Sequence, residues 1–144
     1  IISQILENGV STFFIPHQYK NLIFVPKNKE SINLPEDVIN IGDCAFEHCK
    51  DLNSISLPEG ITSIGFRAFG NCSSLSSIEL PGGLTEIERS VFSDCSSLSS
   101  IGLPEGLTSI GQYAFSNCSS LSSIELPEGL TEIERDVFYG CSSL

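Results

Sequence analysis

Six cysteines are the residues of this chain with the widest chemistry, because thiols form disulfides, bind metals and act as nucleophiles. Zinc sites usually pair their cysteines about two to four residues apart. Five of the cysteines here recur instead every 23 residues, at Cys49, Cys72, Cys95, Cys118 and Cys141. We interpret these five as small, buried and reduced hydrophobic residues of a repeat. Cys44 stands outside the series and is predicted to be a partly exposed free thiol.

Catalysis by a serine nucleophile needs a histidine beside the serine and a carboxylate behind that histidine. The only histidines are His17 and His48, and the serines recur in S-S-L-S-S stretches that suit the polar exterior of a strand. The sequence also lacks a glycine-rich phosphate-binding loop. It therefore predicts a protein that is not an enzyme and that needs no cofactor.

The carboxylates raise the question of a calcium site. Glu79 and Glu125 occupy the same position in alternate repeats, with Gly102 between them. Two repeats of a stacked sheet separate them by roughly 10 Å, whereas one calcium ion needs its ligands at about 2.3 to 2.6 Å. We interpret the acidic residues as a solvated face and expect no metal site.

Composition and charge exclude several classes of partner. The net charge of −11 comes from 18 acidic and 7 basic side chains, so the surface repels phosphate groups. Nucleic acids and direct membrane insertion are not expected. Hydrophobic residues make up 40% of the chain, enough for a folded core but too interrupted for a membrane span. Residues 1–10 carry neither the basic nor the long apolar segment of a signal peptide.

A period of 23 residues organises most of the chain. The pattern L-P-x-x-(V/I/L)-x-x-I-x-x-x-(A/V)-F-x-x-C-x-x-L-x-x-I-x gives five repeats: 34–56, 57–79, 80–102, 103–125 and the truncated 126–144. A second period doubles the first, since residues 57–98 match 103–144 at 34 of 42 positions. Such periods predict a solenoid, in which each repeat forms one rung and buries its apolar face against its neighbours.

Each rung is predicted to contain a short strand, a bend, a second short strand and a helical turn. In the rung that begins at Leu80, Pro81 ends the first strand because it has no N–H to donate. Phe92 and Cys95 are placed in the helical turn. Parallel stacking at about 4.7 to 4.9 Å should join the repeat phenylalanines into one buried spine: Phe46, Phe69, Phe92, Phe115 and Phe138.

The position before each repeat cysteine carries residue types that tolerate positive φ, so we predict a left-handed turn there. These residues are His48, Asn71, Asp94, Asn117 and Gly140. Residues 1–33 do not follow the period and are predicted to form an N-terminal cap or a degenerate first repeat. Within them, the β-rich runs 11–15 and 21–25 could cover the exposed edge of the first rung.

The columns L-P-x-x-L-T-x-I-x-x-x-(A/V)-F-x-x-C-S-S-L-x-x-I resemble the BspA-type leucine-rich repeats of bacterial surface proteins and of surface proteins from parasitic protists. The match spans residues 34–144 and includes A-F-x-x-C at 45–49, 68–72 and 114–118. The resemblance implies a right-handed leucine-rich-repeat solenoid. It also implies a cell-surface or secreted adhesin that engages host matrix proteins, plasma proteins or other cells.

We predict that a protein partner binds the strand face, defined as the residues that flank the inward-pointing isoleucines of the first strands. They are Ser54, Ser56, Ser77, Glu79, Ser100, Gly102, Ser123 and Glu125. A second candidate surface, the acidic set, would suit a basic partner and consists of Glu86, Glu88, Glu132 and Glu134. Two alternatives stay open: a structural spacer within a larger surface protein, or an intracellular protein-interaction scaffold.

Overall fold

The computed structural model describes residues 2–5, 11–15, 19–24 and 27–144, with side chains from residue 27 onward. Within these residues the chain forms twelve short strands. They are β1 (Ile2–Ile5), β2 (Ser11–Ile15), β3 (Tyr19–Phe24), β4 (Ser31–Asn33), β5 (Asn40–Ile41), β6 (Ser54–Ser56), β7 (Ser63–Ile64), β8 (Ser77–Glu79), β9 (Glu86–Ile87), β10 (Ser100–Gly102), β11 (Ser109–Ile110) and β12 (Glu132–Ile133).

Equivalent strands of successive rungs pair in parallel and in register. Strand β4 pairs with β6, and β8 with β10, so that Ile78 lies opposite Ile101, 23 residues later. The second strands of the rungs pair in the same way, as β5 with β7 and as β9 with β11 and β12. This register keeps each isoleucine column on the core side of its sheet. The predicted solenoid of parallel strands and 23-residue rungs is confirmed.

The N-terminal strands extend one of these sheets. Strands β1, β2 and β3 pair antiparallel in sequence order, and β3 then pairs in parallel with β5 of the first rung. The run predicted at residues 11–15 coincides with β2, and the run predicted at 21–25 overlaps β3, which begins at Tyr19. Val25 lies outside the described residues. Strand β3 thus occupies the edge of β5 that would otherwise be open.

The sheets on two sides of the solenoid are each interrupted next to the second rung, one between β6 and β8 and the other between β7 and β9. The turn segments of the second and third rungs remain joined, because the N–H groups of Arg67, Phe69 and Asn71 donate to carbonyl oxygens of the third rung at 2.7 to 3.3 Å. Hydrogen bonds between turn segments therefore connect the rungs where these two strand pairings are missing.

The prediction of a helical turn in each rung is wrong, since no helix forms among the described residues. In the first rung the N–H groups of Cys44, Phe46 and His48 donate to carbonyl oxygens of the next rung at 2.7 to 2.9 Å. The residues between them donate instead to carbonyl oxygens three residues earlier in the same rung. An α-helix needs every N–H to reach four residues back within its own segment. Bonds between rungs replace that pattern with a run of tight turns.

Two columns of left-handed residues make these turns possible. The predicted column is confirmed, with φ between 58° and 75° from His48 to Gly140. A second column, four residues earlier in each rung, has φ between 52° and 60° and was not predicted. Its members are Cys44, Arg67, Ser90, Tyr113 and Asp136. Arginine and tyrosine have no local preference for this conformation, so the residue types in this column did not predict it.

The core is built from aligned columns, with the phenylalanine spine at its centre. Phe46, Phe69, Phe92 and Phe115 are fully buried, and Phe138 at the last rung is half-buried. Neighbouring rings are stacked with centroids 4.7 to 5.7 Å apart and planes within 10° of parallel. The predicted spine is confirmed.

Packing at one corner accounts for the glycines at positions 65 and 111. A Cβ on Gly65 would lie 2.7 Å from the backbone nitrogen of Asp43, and one on Gly111 would lie 2.8 Å from that of Arg89. Both neighbours are backbone atoms of the preceding rung, so a side chain there would push the rungs apart. The intervening rungs carry the exposed Glu88 and Glu134 in the same column.

Candidate functional site

The strand face lies on β6, β8 and β10. Ser54, Ser56, Ser77, Glu79 and Ser100 are all exposed, while the isoleucine at the centre of each strand points toward the core. The alternation follows from the strand pleat, which turns successive side chains to opposite faces. The structure therefore brings these predicted residues onto one side of the solenoid.

Ser123 and Glu125 do not lie on a strand, which corrects the predicted fourth strand of this face. Residues 121–127 are exposed or half-buried apart from Leu121, and they form no ladder with β10. The segment has β10 on one side and no described strand on the other, so it lacks the pairing on both flanks that holds an inner strand. Both side chains nevertheless stay exposed beside β10.

The serines near the strands divide into two structural types. The hydroxyls of Ser76 and Ser99 donate to backbone carbonyl oxygens of the preceding rung at 3.4 and 3.2 Å. Within the described residues, the hydroxyls of the neighbouring Ser77 and Ser100 make no intramolecular hydrogen bond and are exposed. Ser76 and Ser99 therefore stabilise the stack, whereas the hydroxyls of Ser77 and Ser100 are available to a partner.

Two grooves open between strands of this face. The first groove, about 330 Å³, is lined by residues 54–57, Glu59 and residues 77–81. The second groove, about 430 Å³, is lined by residues 100–103, Glu105 and residues 123–128. Each lies where two neighbouring first-strand segments fail to pair. A smaller depression of about 170 Å³ lies between β4 and β6 and includes Glu36.

The acidic set lies on the other series of strands. Glu86 belongs to β9 and Glu132 to β12, and all four members of the set are exposed. One of them has a structural role, because a carboxylate oxygen of Glu134 accepts a hydrogen bond from the backbone N–H of Gln112 at 3.0 Å. The two candidate surfaces therefore belong to separate sheets, and Glu134 is partly engaged within the fold.

Four of the five repeat cysteines are buried as predicted, and Cys141 in the last rung is half-buried. The thiols of Cys72, Cys95, Cys118 and Cys141 each donate to the carbonyl oxygen of the phenylalanine in the preceding rung, at 3.0 to 3.2 Å. Burial raises the pKa of Cys118 to about 12, which keeps that thiol protonated. The sequence missed this donor role, which links successive rungs.

Cys44 is exposed and free, as predicted. Its pKa is raised, first by partial desolvation and then by a hydrogen bond to Glu47, whose negative charge also disfavours the thiolate. The same carboxylate lies 2.8 Å from Nε of Arg67 in the next rung. Exposure therefore favours reaction at Cys44, whereas its electrostatic surroundings suppress the reactive thiolate.

In the described part of the chain, no three side chains among histidine, cysteine, aspartate and glutamate come close enough together to hold a metal ion. Nor do the described residues include a helix with the length and apolar character that a bilayer crossing requires.

This architecture is shared with known proteins. A family model described as the BspA type leucine rich repeat region matches residues 18–144 in six copies, and this range includes β3 and β4. No curated protein sequence matches the chain.

Among solved structures, a leucine rich repeat protein of T. pallidum is 34% identical with a TM-score of 0.87, over 92% of this chain and 65% of that one. A leucine rich cell surface protein of Faecalibacterium prausnitzii is 34% identical with a TM-score of 0.94, over 99% and 38% of the two chains. A leucine-rich repeat protein of Bacteroides ovatus is 33% identical with a TM-score of 0.90, over 98% and 39%. The chain thus spans less than two thirds of each of these proteins. It belongs to the BspA-type leucine-rich repeat family.

Proposed function

We propose that this chain is a non-enzymatic protein-binding module and that its partner docks on the strand face. The observation that carries the proposal is the set of free hydroxyls at Ser54, Ser77 and Ser100. Ser54 stands on β6, which pairs in register with β4, and Ser77 and Ser100 stand on β8 and β10, which pair in register with each other. Short polar side chains on such a rigid support lose little conformational entropy when they bind.

The family relationship supports a role at the cell surface. The similar protein of Faecalibacterium prausnitzii is a leucine rich cell surface protein. We infer that this chain is likewise displayed or secreted as part of an adhesin that engages extracellular matrix proteins, plasma proteins or other cells. The net charge of −11 favours a partner with a basic surface.

The test is a binding assay by surface plasmon resonance against a panel of immobilised extracellular matrix and plasma proteins. The variant Ser77→Arg with Ser100→Arg places two bulky groups on the strand face and should abolish binding. The matched control, Ser97→Arg with Ser120→Arg, makes the same change at exposed serines in the third and fourth rungs, away from β8 and β10. It should bind like the unaltered protein.

An equal loss of binding in both variants would refute the proposal that the strand face is the docking surface. Loss on changing Glu86 and Glu132 to Lys, with no effect of the strand-face variant, would assign binding to the acidic set instead. The spacer alternative draws support from the near-identity of the duplicated two-rung units, 34 of 42 positions. A spacer would bind no member of the panel.

A further inference from the structure

The first and second grooves are structural copies of one another. Each residue that lines the first groove has its counterpart 46 residues later in the lining of the second, from Ser54 and Ser100 through to Pro81 and Pro127. The two grooves therefore repeat once per two-rung unit. Strands β8 and β10, which pair with each other, form the wall between them.

The lining of each groove combines an apolar floor with a carboxylate rim. In the first groove, Ile55 and Leu57 are only partly buried, and Glu59 and Glu79 are exposed. The missing pairing between β6 and β8 is what leaves that floor open. In the second groove the partly buried floor residues are Leu103, the counterpart of Leu57, and Ile124, the counterpart of the buried Ile78. The rim there gains a further exposed carboxylate at Glu128.

This combination matches the side chain of lysine or arginine. Such a side chain has an apolar stem that covers hydrophobic surface and a cationic head that stays near water or a carboxylate. A neutral apolar side chain would leave the rim carboxylates without a partner, and an acidic one would be repelled. Each groove is therefore a subsite for one long cationic side chain.

The distance between the subsites limits the conformation of the partner. They lie two rungs apart, about 10 Å by the usual strand spacing, and the rings of Phe69, Phe92 and Phe115 are separated by 5.4 and 5.5 Å over the same two rungs. A polyproline II segment returns a side chain to the same face every third residue, after about 9.3 Å. A β-strand does so after about 6.6 Å, which is about 3 Å short of the second groove.

We propose that the strand face binds an extended, polyproline II-like protein segment that runs along the solenoid and carries a lysine or arginine at every third residue. This inference rests on the proposed function and deepens it by naming the partner's chemistry. One cationic side chain enters the first groove and the next enters the second, while the free serine hydroxyls between them face the backbone of the segment.

The test compares two synthetic peptides in a fluorescence anisotropy titration. The periodic peptide is proline-rich with lysine at every third residue, and the clustered peptide has the same composition with its lysines contiguous. Both feel the same overall attraction to an acidic protein, so their difference reports the spacing of the grooves. Two exposed ion pairs should give the periodic peptide about fivefold tighter binding.

The variant Glu79→Gln with Glu125→Gln removes one rim carboxylate from each groove and should abolish this preference. The control Glu86→Gln with Glu132→Gln removes the same charge from the second-strand series and should retain the preference. Both variants should unfold at the temperature of the parent protein, because all four side chains are exposed.

Equal affinity for the two peptides would overturn the inference, as would equal loss of preference in both variants. Tighter binding of a helical peptide with lysines seven residues apart would also overturn it. Should Ser77→Arg with Ser100→Arg abolish binding of a panel protein while Glu79→Gln with Glu125→Gln leaves it intact, the proposed function stands and the basic-segment inference fails.

Discussion

The phenylalanine spine offers the sharpest test of how this solenoid is stabilised. Phe92 is fully buried at the middle of the spine, with ring centroids 5.4 and 5.5 Å away on its two sides. Replacing it with alanine removes the ring's transfer free energy and leaves a cavity that both adjoining rungs border. Buried Phe to Ala changes cost about 3 to 5 kcal/mol.

That loss is large for a folded domain, whose total stability is commonly about 5 to 15 kcal/mol. The rung of Phe92 also contains β9, which does not pair with β7 of the preceding rung, so fewer strand hydrogen bonds support it from the N-terminal side. Phe92→Ala should therefore lower the free energy of unfolding by at least about 3 kcal/mol.

Phe138→Ala provides the comparison within the same column. Its ring is half-buried and has one stacked neighbour, at 5.7 Å. The loss should be less than half that of Phe92→Ala, because the site is already open to water and leaves a smaller enclosed cavity. Urea titration followed by circular dichroism measures both variants.

A loss below about 1 kcal/mol for Phe92→Ala would show that the spine is not the stabilising core. A loss for Phe138→Ala that equals or exceeds that of Phe92→Ala would refute the argument from burial. Either result would require another source of cohesion between the rungs.

Three further predictions follow from packing and ionisation. Gly111→Ala should lower the free energy of unfolding by about 1 to 3 kcal/mol, because a Cβ at this position would meet backbone atoms of the preceding rung. In the same titration Gly102→Ala should change that free energy by less than about 0.5 kcal/mol, because no atom lies within 4 Å of a Cβ there. Burial raises the pKa of Cys49 and Cys118 from 9.0 to about 12, so the unfolded chain loses these protons at lower pH than the folded chain does. The free energy of unfolding should therefore fall as pH rises between those values, and a free energy that does not change with pH would contradict this. In native protein, mass spectrometry after iodoacetamide treatment should find Cys44 as the fast site, with a rate that still climbs above pH 9.0 because its pKa is raised; rapid labelling of the buried cysteines would contradict it.

The sequence alone determined the period and the composition of the core columns. Identical rungs stacked in register bury identical positions, so the spacing of Phe92 from Phe69 and Phe115 was sufficient to predict a spine. The left-handed position at Asn71 and Asp94 could also be predicted, since these residue types tolerate positive φ through local interactions.

The prediction of a helical turn was wrong because the A-F-x-x-C spacing is compatible with a helix as well as with a run of turns. The outcome depends on which carbonyl oxygens accept hydrogen bonds from alternate backbone N–H groups, and the N–H groups of Cys44 and Phe46 donate to the next rung. A local pattern contains no information about that competing acceptor. Arg67, whose N–H bonds to the carbonyl oxygen of Arg89 in the next rung, has a left-handed conformation that arginine does not favour.

The candidate site, too, could be predicted only in part. Alternation along each strand predicted which side chains of Ser77, Glu79 and Ser100 face outward, because the pleat has a fixed period of two. The grooves could not be predicted, since they arise where β6 and β8 fail to pair although the sequence repeats without a break there. Side-chain direction is a local property of the strand, whereas the pairing of neighbouring rungs depends on how closely the whole stack packs, which only the tertiary structure decides.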